Sequence, residues 1–158
     1  MRKTNELEKK ANKINLVYRK EKRALIQKVP TPILYTRKGL IAQRSTVDYT
    51  GILAPGGKGI AFDAKETKNK TSFPLSNIHE HQLAFLDIFE SLGGIAFFLI
   101  HFKSVHKDKV FVTPLSLVHK YWGGEIRKSI PLEDFKEEWL TETDNYLTKV
   151  EECFNTTI

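Results

Sequence analysis

Six residues in the first half of the chain, Ala-Pro-Gly-Gly-Lys-Gly at 54–59, constrain the fold more than any other stretch. Proline and glycine at that density form a tight reversal, and the segment is too short to be anything but a hairpin connection. The flanking residues 47–53 and 60–65 are rich in Val, Ile, Thr, Tyr and Phe and read as the two strands. A turn centred near Pro55 and Gly56 sets Asp48 opposite Asp63. Alternate side chains of a strand point the same way, so Asp63 and Lys65 share one face while Phe62 and Ala64 face the core.

Directly opposed residues of neighbouring strands have Cβ atoms about 5 Å apart. Two carboxylates that close repel unless a cation lies between them. Mg²⁺ suits the place, because it takes one or two carboxylates and fills its shell with water and substrate phosphate oxygens. Lys65, two residues beyond Asp63, reaches the attacking water or the scissile phosphate and can stabilise the charge that builds there. These spacings predict a magnesium-dependent phosphodiesterase site of Asp48, Asp63 and Lys65. The competing reading is an exposed hairpin with a cross-strand Asp–Lys pair.

Elsewhere the pattern predicts a mixed sheet with helices packed on it, an α/β or α+β unit. Leu7, Ala11 and Ile14 have helical spacing, so residues 4–27 read as one amphipathic helix with a basic outer face, ended by Pro30 and Pro32. Residues 33–35 form a short strand, followed by a basic segment over 36–44. Pro74 opens a helix over 75–91, which Gly93 and Gly94 stop. Residues 95–102 are a central strand with 110–113 beside it, and 114–122 a short helix. Pro131 begins a final helix of about four turns. Trp122 and Trp139 fall in apolar helical patterns and serve the core or a subunit contact. No internal repeat is evident, and 158 residues suit one compact domain, 1–158.

The charge points to the partner. Net charge is +6, and clustered Lys and Arg displace the counterions condensed on nucleic acid. Basic residues gather in 2–28, at Arg37, Lys38 and Arg44, and at Lys65, Lys68 and Lys70, while many acids lie in the last third. A positive half and a mixed half predict a DNA-facing side. The polar loop 67–72 places Lys68 and Lys70 to hold phosphates beside the cut. No apolar run approaches the roughly 18 residues that span a bilayer, and the charged N-terminus lacks the apolar stretch of a signal peptide. A cytoplasmic protein is expected. Cys153 is the one cysteine, so an intrachain disulfide or a multi-thiolate metal site is excluded.

Asp48 followed by Asp63-Ala-Lys65 has the form PD-(D/E)xK, the signature of the restriction-endonuclease-like superfamily. More narrowly, Ser-Thr-Val-Asp-Tyr-Thr-Gly at 45–51, the run Phe-Asp-Ala-Lys-Glu-Thr-Lys-Asn-Lys-Thr-Ser-Phe-Pro-Leu at 62–75 and His-Glu-His-Gln at 79–82 resemble RecU-type Holliday junction resolvases of Gram-positive bacteria and their phages. Weaker similarity runs from about Leu7 to at least Ile130. The resemblance implies a restriction-endonuclease-like mixed β-sheet flanked by helices. It implies a magnesium site, with Mn²⁺ as a substitute, held by Thr46, Asp48, Asp63 and Gln82, and Lys65 as transition-state stabiliser. Thr46 and Asp48, two apart on a strand, face one pocket; Gln82 offers a carbonyl oxygen or holds a water. Glu8 matches an acidic residue on the family's first helix, a second-metal or supporting group.

Two departures stand out. Asp63 replaces the longer Glu of many relatives, and the segment 36–44 between the first two strands is shorter than the stalk that relatives insert into a junction. DNA contacts are expected at Lys68, Lys70 and Arg44. The partners implied are a four-way DNA junction, a second copy of the chain and recombination proteins, with no membrane. Two alternatives stay open: a related nuclease acting on linear or branched DNA without junction selectivity, and a catalytically silent DNA-binding module.

Other constellations are weaker. His79 and His81, two apart on a helix, point to different faces and cannot chelate together. No nucleophile elbow is present. The glycines at 56–59 lack the Walker spacing, so they make a hairpin tip. Apolar residues of the central hairpin and around Trp122, Phe135 and Trp139 are available for a dimer interface.

Overall fold

The computed structural model describes residues 5–42, 46–103, 108–124 and 127–154. Helix α1 (Glu6–Lys20) opens with a capping box: the Asn5 side chain accepts the Glu8 N–H and the Glu8 side chain accepts the Asn5 N–H. It stops seven residues before the end expected from sequence. Lys22 takes a left-handed φ of 56° and turns the chain back. Ala24–Lys28 then runs as strand β1, so the continuous helix over 4–27 is a helix and a strand. Strands β2 (Ile33–Thr36) and β3 (Gly39–Ala42) form a separate two-stranded hairpin. Within the basic segment 36–44, residues 39–42 are therefore strand.

Strands β4 (Tyr49–Leu53) and β5 (Lys58–Thr67) form the hairpin predicted around Pro55. Gly51 on β4 is needed for space: a Cβ there would lie 2.1 Å from the Leu25 carbonyl oxygen of β1. A short strand β6 (Ser72–Pro74) leads through a 3₁₀ turn at Leu75–Asn77 into α2 (Glu80–Ser91). The predicted helix over 75–91 thus starts five residues late, capped at His79. Strand β7 (Ile95–Phe102) lies parallel to β5 and antiparallel to β8 (Lys109–Pro114). Helix α3 (Leu115–Tyr121) follows.

The four-turn helix expected from Pro131 is absent. Strand β9 (Ser129–Pro131), two 3₁₀ turns, strand β10 (Leu140–Thr141) and a third 3₁₀ turn precede α4 (Tyr146–Phe154). The cause is a short internal repeat that the sequence holds after all. Ser-Phe-Pro-Leu-Ser-Asn-Ile at 72–78 and Ser-Ile-Pro-Leu-Glu-Asp-Phe at 129–135 each make a strand and a 3₁₀ turn. The two strands pair antiparallel, Phe73 across from Ile130. Trp139 accordingly sits on a 3₁₀ turn.

The main sheet has the order β1-β4-β5-β7-β8-β10. One face packs on α1 and α4 through Leu7, Ala11, Phe62, Ala64, Phe97, Leu99, Tyr146 and Val150. The other packs on α2, α3 and the β6–β9 pair through Ala61, Phe98, Ile100, Leu83, Leu86, Val118 and Phe135. The mixed sheet flanked by helices is as expected. Phe135 is buried in the second layer, which removes it from the residues available for a subunit contact. Among the described residues no helix is long and apolar enough to cross a membrane.

Candidate active site

Strand alternation divides β5 between the layers. Phe62 and Ala64 enter the α1/α4 layer, and Asp63 and Lys65 face α2. Asp48 precedes β4 rather than lying on it, because pairing starts at Tyr49 across from Phe62. Continuing that register by one residue brings Asp48 to Asp63, and the hydrogen bonds are reciprocal. The Asp48 N–H donates to Asp63 Oδ1 at 2.9 Å, and the Ala64 N–H donates to Asp48 Oδ2 at 2.9 Å. Each carboxylate is thus held by the other strand's backbone, which fixes both without a side-chain rotor to spare.

Lys65 Nζ lies 2.8 Å from Asp63 Oδ2. That oxygen is buried and accepts no hydrogen bond of good angle, so the contact is an ion pair rather than a directed bond. Asp63 is fully buried, and Asp48, Lys65 and Gln82 are each less than a tenth exposed. The exposed hairpin with a surface Asp–Lys pair is therefore overturned. Asp63 Oδ2, buried beside the Lys65 ammonium with no hydrogen bond of its own, is an oxygen that a cation can take.

Gln82 reaches the cluster from the first turn of α2. Its Nε2 donates toward Asp63 Oδ1 at 3.4 Å, while its Oε1 accepts the His79 N–H at 3.2 Å as part of the helix cap. The amide group, not the carbonyl, therefore faces Asp63. Thr46 is exposed at a bend, two residues before Asp48 and off the strand on which the sequence placed it. Glu8 is buried on α1, with Oε2 3.5 Å from Lys28 Nζ; Lys28 lies across from Tyr49, the residue after Asp48. Lys68 and Lys70 are exposed on the loop beyond β5. Arg44 lies outside the described residues.

A cleft of about 380 Å³ opens over Lys65, lined by Asn5, Ala64, Glu66, Ser76, Asn77 and His79. Sequence reasoning did not find Asn5, Ser76, Asn77 or Glu66, since helix caps and 3₁₀ turns carry no chemical signature. His79 caps α2 and its ring stacks on His81 at 5.5 Å, so the two do not point to different faces. A larger cavity of about 550 Å³ lies in the other layer, between α1 and the end of β8. None of the residues expected at the site lines it.

A buried carboxylate pair with a lysine two residues on, at the middle of a mixed sheet, has the PD-(D/E)xK form. The chain belongs to one family bearing that form, RecU, recombination protein U, whose family model matches residues 2–151. It is 40% identical over 149 residues to the Holliday junction resolvase RecU of Pediococcus pentosaceus, covering 84% of this chain and 71% of that protein. With the Holliday junction resolvase RecU of Staphylococcus epidermidis the identity is 40% over 146 residues, covering 83% and 68%. Among solved structures, that of Hjc, a Holliday junction resolvase of Archaeoglobus fulgidus, matches loosely: 12% identity, 78% of this chain, 86% of that one, TM-score 0.44.

Proposed function

We propose that the protein is a magnesium-dependent endonuclease that resolves four-way DNA junctions by paired phosphodiester hydrolysis, acting as a homodimer in recombination and repair. The observation that carries this is the buried trio of Asp48, Asp63 and Lys65, locked by reciprocal backbone bonds in a chain of the RecU family. A binding module has no use for so costly an arrangement of buried charge.

The donor set fits a hard divalent cation. Asp48 and Asp63 offer carboxylate oxygens, and one of these is buried without a hydrogen bond. Asp48 and Asp63 would hold Mg²⁺, with Mn²⁺ as a substitute. Thr46 stands two residues before Asp48. Gln82 can join as a ligand by turning its amide, or keep its present cap and hold a water. When bound, the ion supplies charge stabilisation and a lowered pKa for the attacking water.

The chain's own groups do the rest. Asp48 and Asp63 need no reorganisation at the moment of reaction, because the backbone already fixes them. Lys65 neutralises Asp63 in this structure. Once that carboxylate is otherwise compensated, its ammonium is free to turn to the scissile phosphate and offset the charge that accumulates in the transition state. Lys68 and Lys70, and Arg44, supply affinity by contacts to phosphate rather than chemistry. A junction has two-fold symmetry and each chain carries one site, so paired cuts need two copies about a two-fold axis.

The test is to incubate the protein with a synthetic four-way junction and with linear duplex, in Mg²⁺ and in EDTA. Paired symmetric nicks in the junction, in Mg²⁺ only, are expected. Equal cutting of both substrates would favour the related nuclease without junction selectivity, and no cutting at all the silent DNA-binding module.

A further inference from the structure

Glu66 follows Lys65 on β5 and so projects into the opposite layer, where no chemistry has been assigned to it. Its Oε1 accepts the Leu7 N–H at 2.7 Å, a bond between residues 59 apart in sequence. Leu7 lies in the first turn of α1, whose leading amides have no partner within the helix. Asn5 satisfies one of them, and Glu66 reaches across the fold to satisfy another. A carboxylate at a helix N-terminus is also favoured by the helix dipole. The other Glu66 oxygen lies 3.2 Å from Lys103 Nζ, and His101 Nδ1 lies 3.8 Å from Oε1. Lys103 in turn lies 3.7 Å from Glu6, so the carboxylate is held at both ends.

The same first turn forms a wall of the cleft over Lys65, through Asn5. It also carries Glu8, whose side chain is buried beside Lys28. We infer that Glu66 is a positioning residue for the nuclease reaction: by accepting the Leu7 N–H it sets the wall that α1 presents beside Lys65. The inference rests on the cleft being the active site. Glu66 itself borders that cleft, and in this role it acts through the backbone of α1. Its place next to Lys65 links the two layers, since a shift of β5 moves the lysine and the helix wall together.

Two conservative variants separate reach from charge. Glu66→Gln keeps the arm length and an acceptor for Leu7 but loses the charge facing Lys103 and His101. Glu66→Asp keeps the charge but shortens the arm by about 1.5 Å, which breaks a bond whose limit is about 3.5 Å. With saturating Mg²⁺ and a synthetic four-way junction, the Gln variant should cut within about threefold of wild type. The Asp variant should be slower by on the order of ten- to a hundredfold, as misplacement near 1 Å allows. Hydrogen exchange at the Leu7 amide should stay slow in the Gln variant and speed up in the Asp variant. An Asp variant as fast as wild type, or a Gln variant as slow as Asp, overturns the inference while leaving the nuclease reading intact. A wild-type protein that cuts no DNA in Mg²⁺ overturns both.

Discussion

Two hairpins follow one another along this chain, and they reverse the usual rule in opposite directions. Among the described residues the β2–β3 hairpin pairs with no other strand, and it turns apolar residues to solvent: Tyr35 is 88% exposed, Leu40 69% and Ile33 66%. The β4–β5 hairpin sits in the middle of a six-stranded sheet and buries charge, with Asp63 at 0% exposure and Lys65 at 8%. Apolar groups outside and charges inside are both costly. On the proposed function the second hairpin would be completed by a cation and a phosphate. The buried hairpin would then carry the chemistry and the exposed one would serve recognition.

If this division is right, the largest effect belongs to the buried hairpin. Asp48→Asn and Lys65→Ala should each slow junction cleavage by at least about a hundredfold, the usual loss when a group that stabilises a transition state is removed. Junction binding, measured in Ca²⁺, should stay within a fewfold. Asp48→Asn keeps an oxygen for the Ala64 N–H, so the pairing of the two segments there should persist. A near wild-type rate in either variant would break the comparison at its root.

The exposed hairpin should show the converse. Replacing Ile33, Tyr35 and Leu40 together by Ser should change stability little, since surface substitutions usually lie within about 0.5 kcal/mol each. The preference for a four-way junction over duplex should fall severalfold, with duplex nicking unchanged. A large loss of stability would show that the hairpin is structural. The smallest effect concerns the loop beyond β5. Changing Lys68 and Lys70 to Ala should flatten the salt dependence of DNA binding by nearly two charges, at about 0.9 per phosphate contact. An unaltered slope would place that loop away from DNA.

The buried hairpin was legible in the sequence because three independent signals coincide there. The Pro-Gly turn fixes the register, the two-residue period assigns the faces, and Asp and Lys in an apolar strand are rare enough to stand out. The central strand β7 was legible for its unbroken apolar run. The misreadings share a different cause. Nothing marks the turn after α1, since Lys22 takes a positive φ that glycine would have announced. Leu25 and Ile26 then extend the apolar pattern of α1 into a strand. Pro74 and Pro131 look like first residues of helices, yet each ends a short strand and leads into a 3₁₀ turn. Placing the repeat at 72–78 beside that at 129–135 would have exposed both together. Within the site, Asp48, Asp63 and Lys65 followed from spacing, whereas Gln82 entered only through family resemblance. Glu66 was invisible, since its partner Leu7 lies 59 residues away.

The central claim is that the buried carboxylates form a cation-dependent cutting site, and Asp63→Asn tests it most directly. Wild-type and variant protein would be compared on one labelled four-way junction, with single-turnover cleavage in Mg²⁺ and binding in Ca²⁺. Mg²⁺ should raise the melting temperature of the wild type, as any ligand of the native state does, and leave that of the variant unmoved. The variant should bind the junction within about threefold of wild type and cut it at least about a hundredfold more slowly. A variant that cuts at the wild-type rate and is stabilised by Mg²⁺ to the same extent would place the active site elsewhere in the molecule.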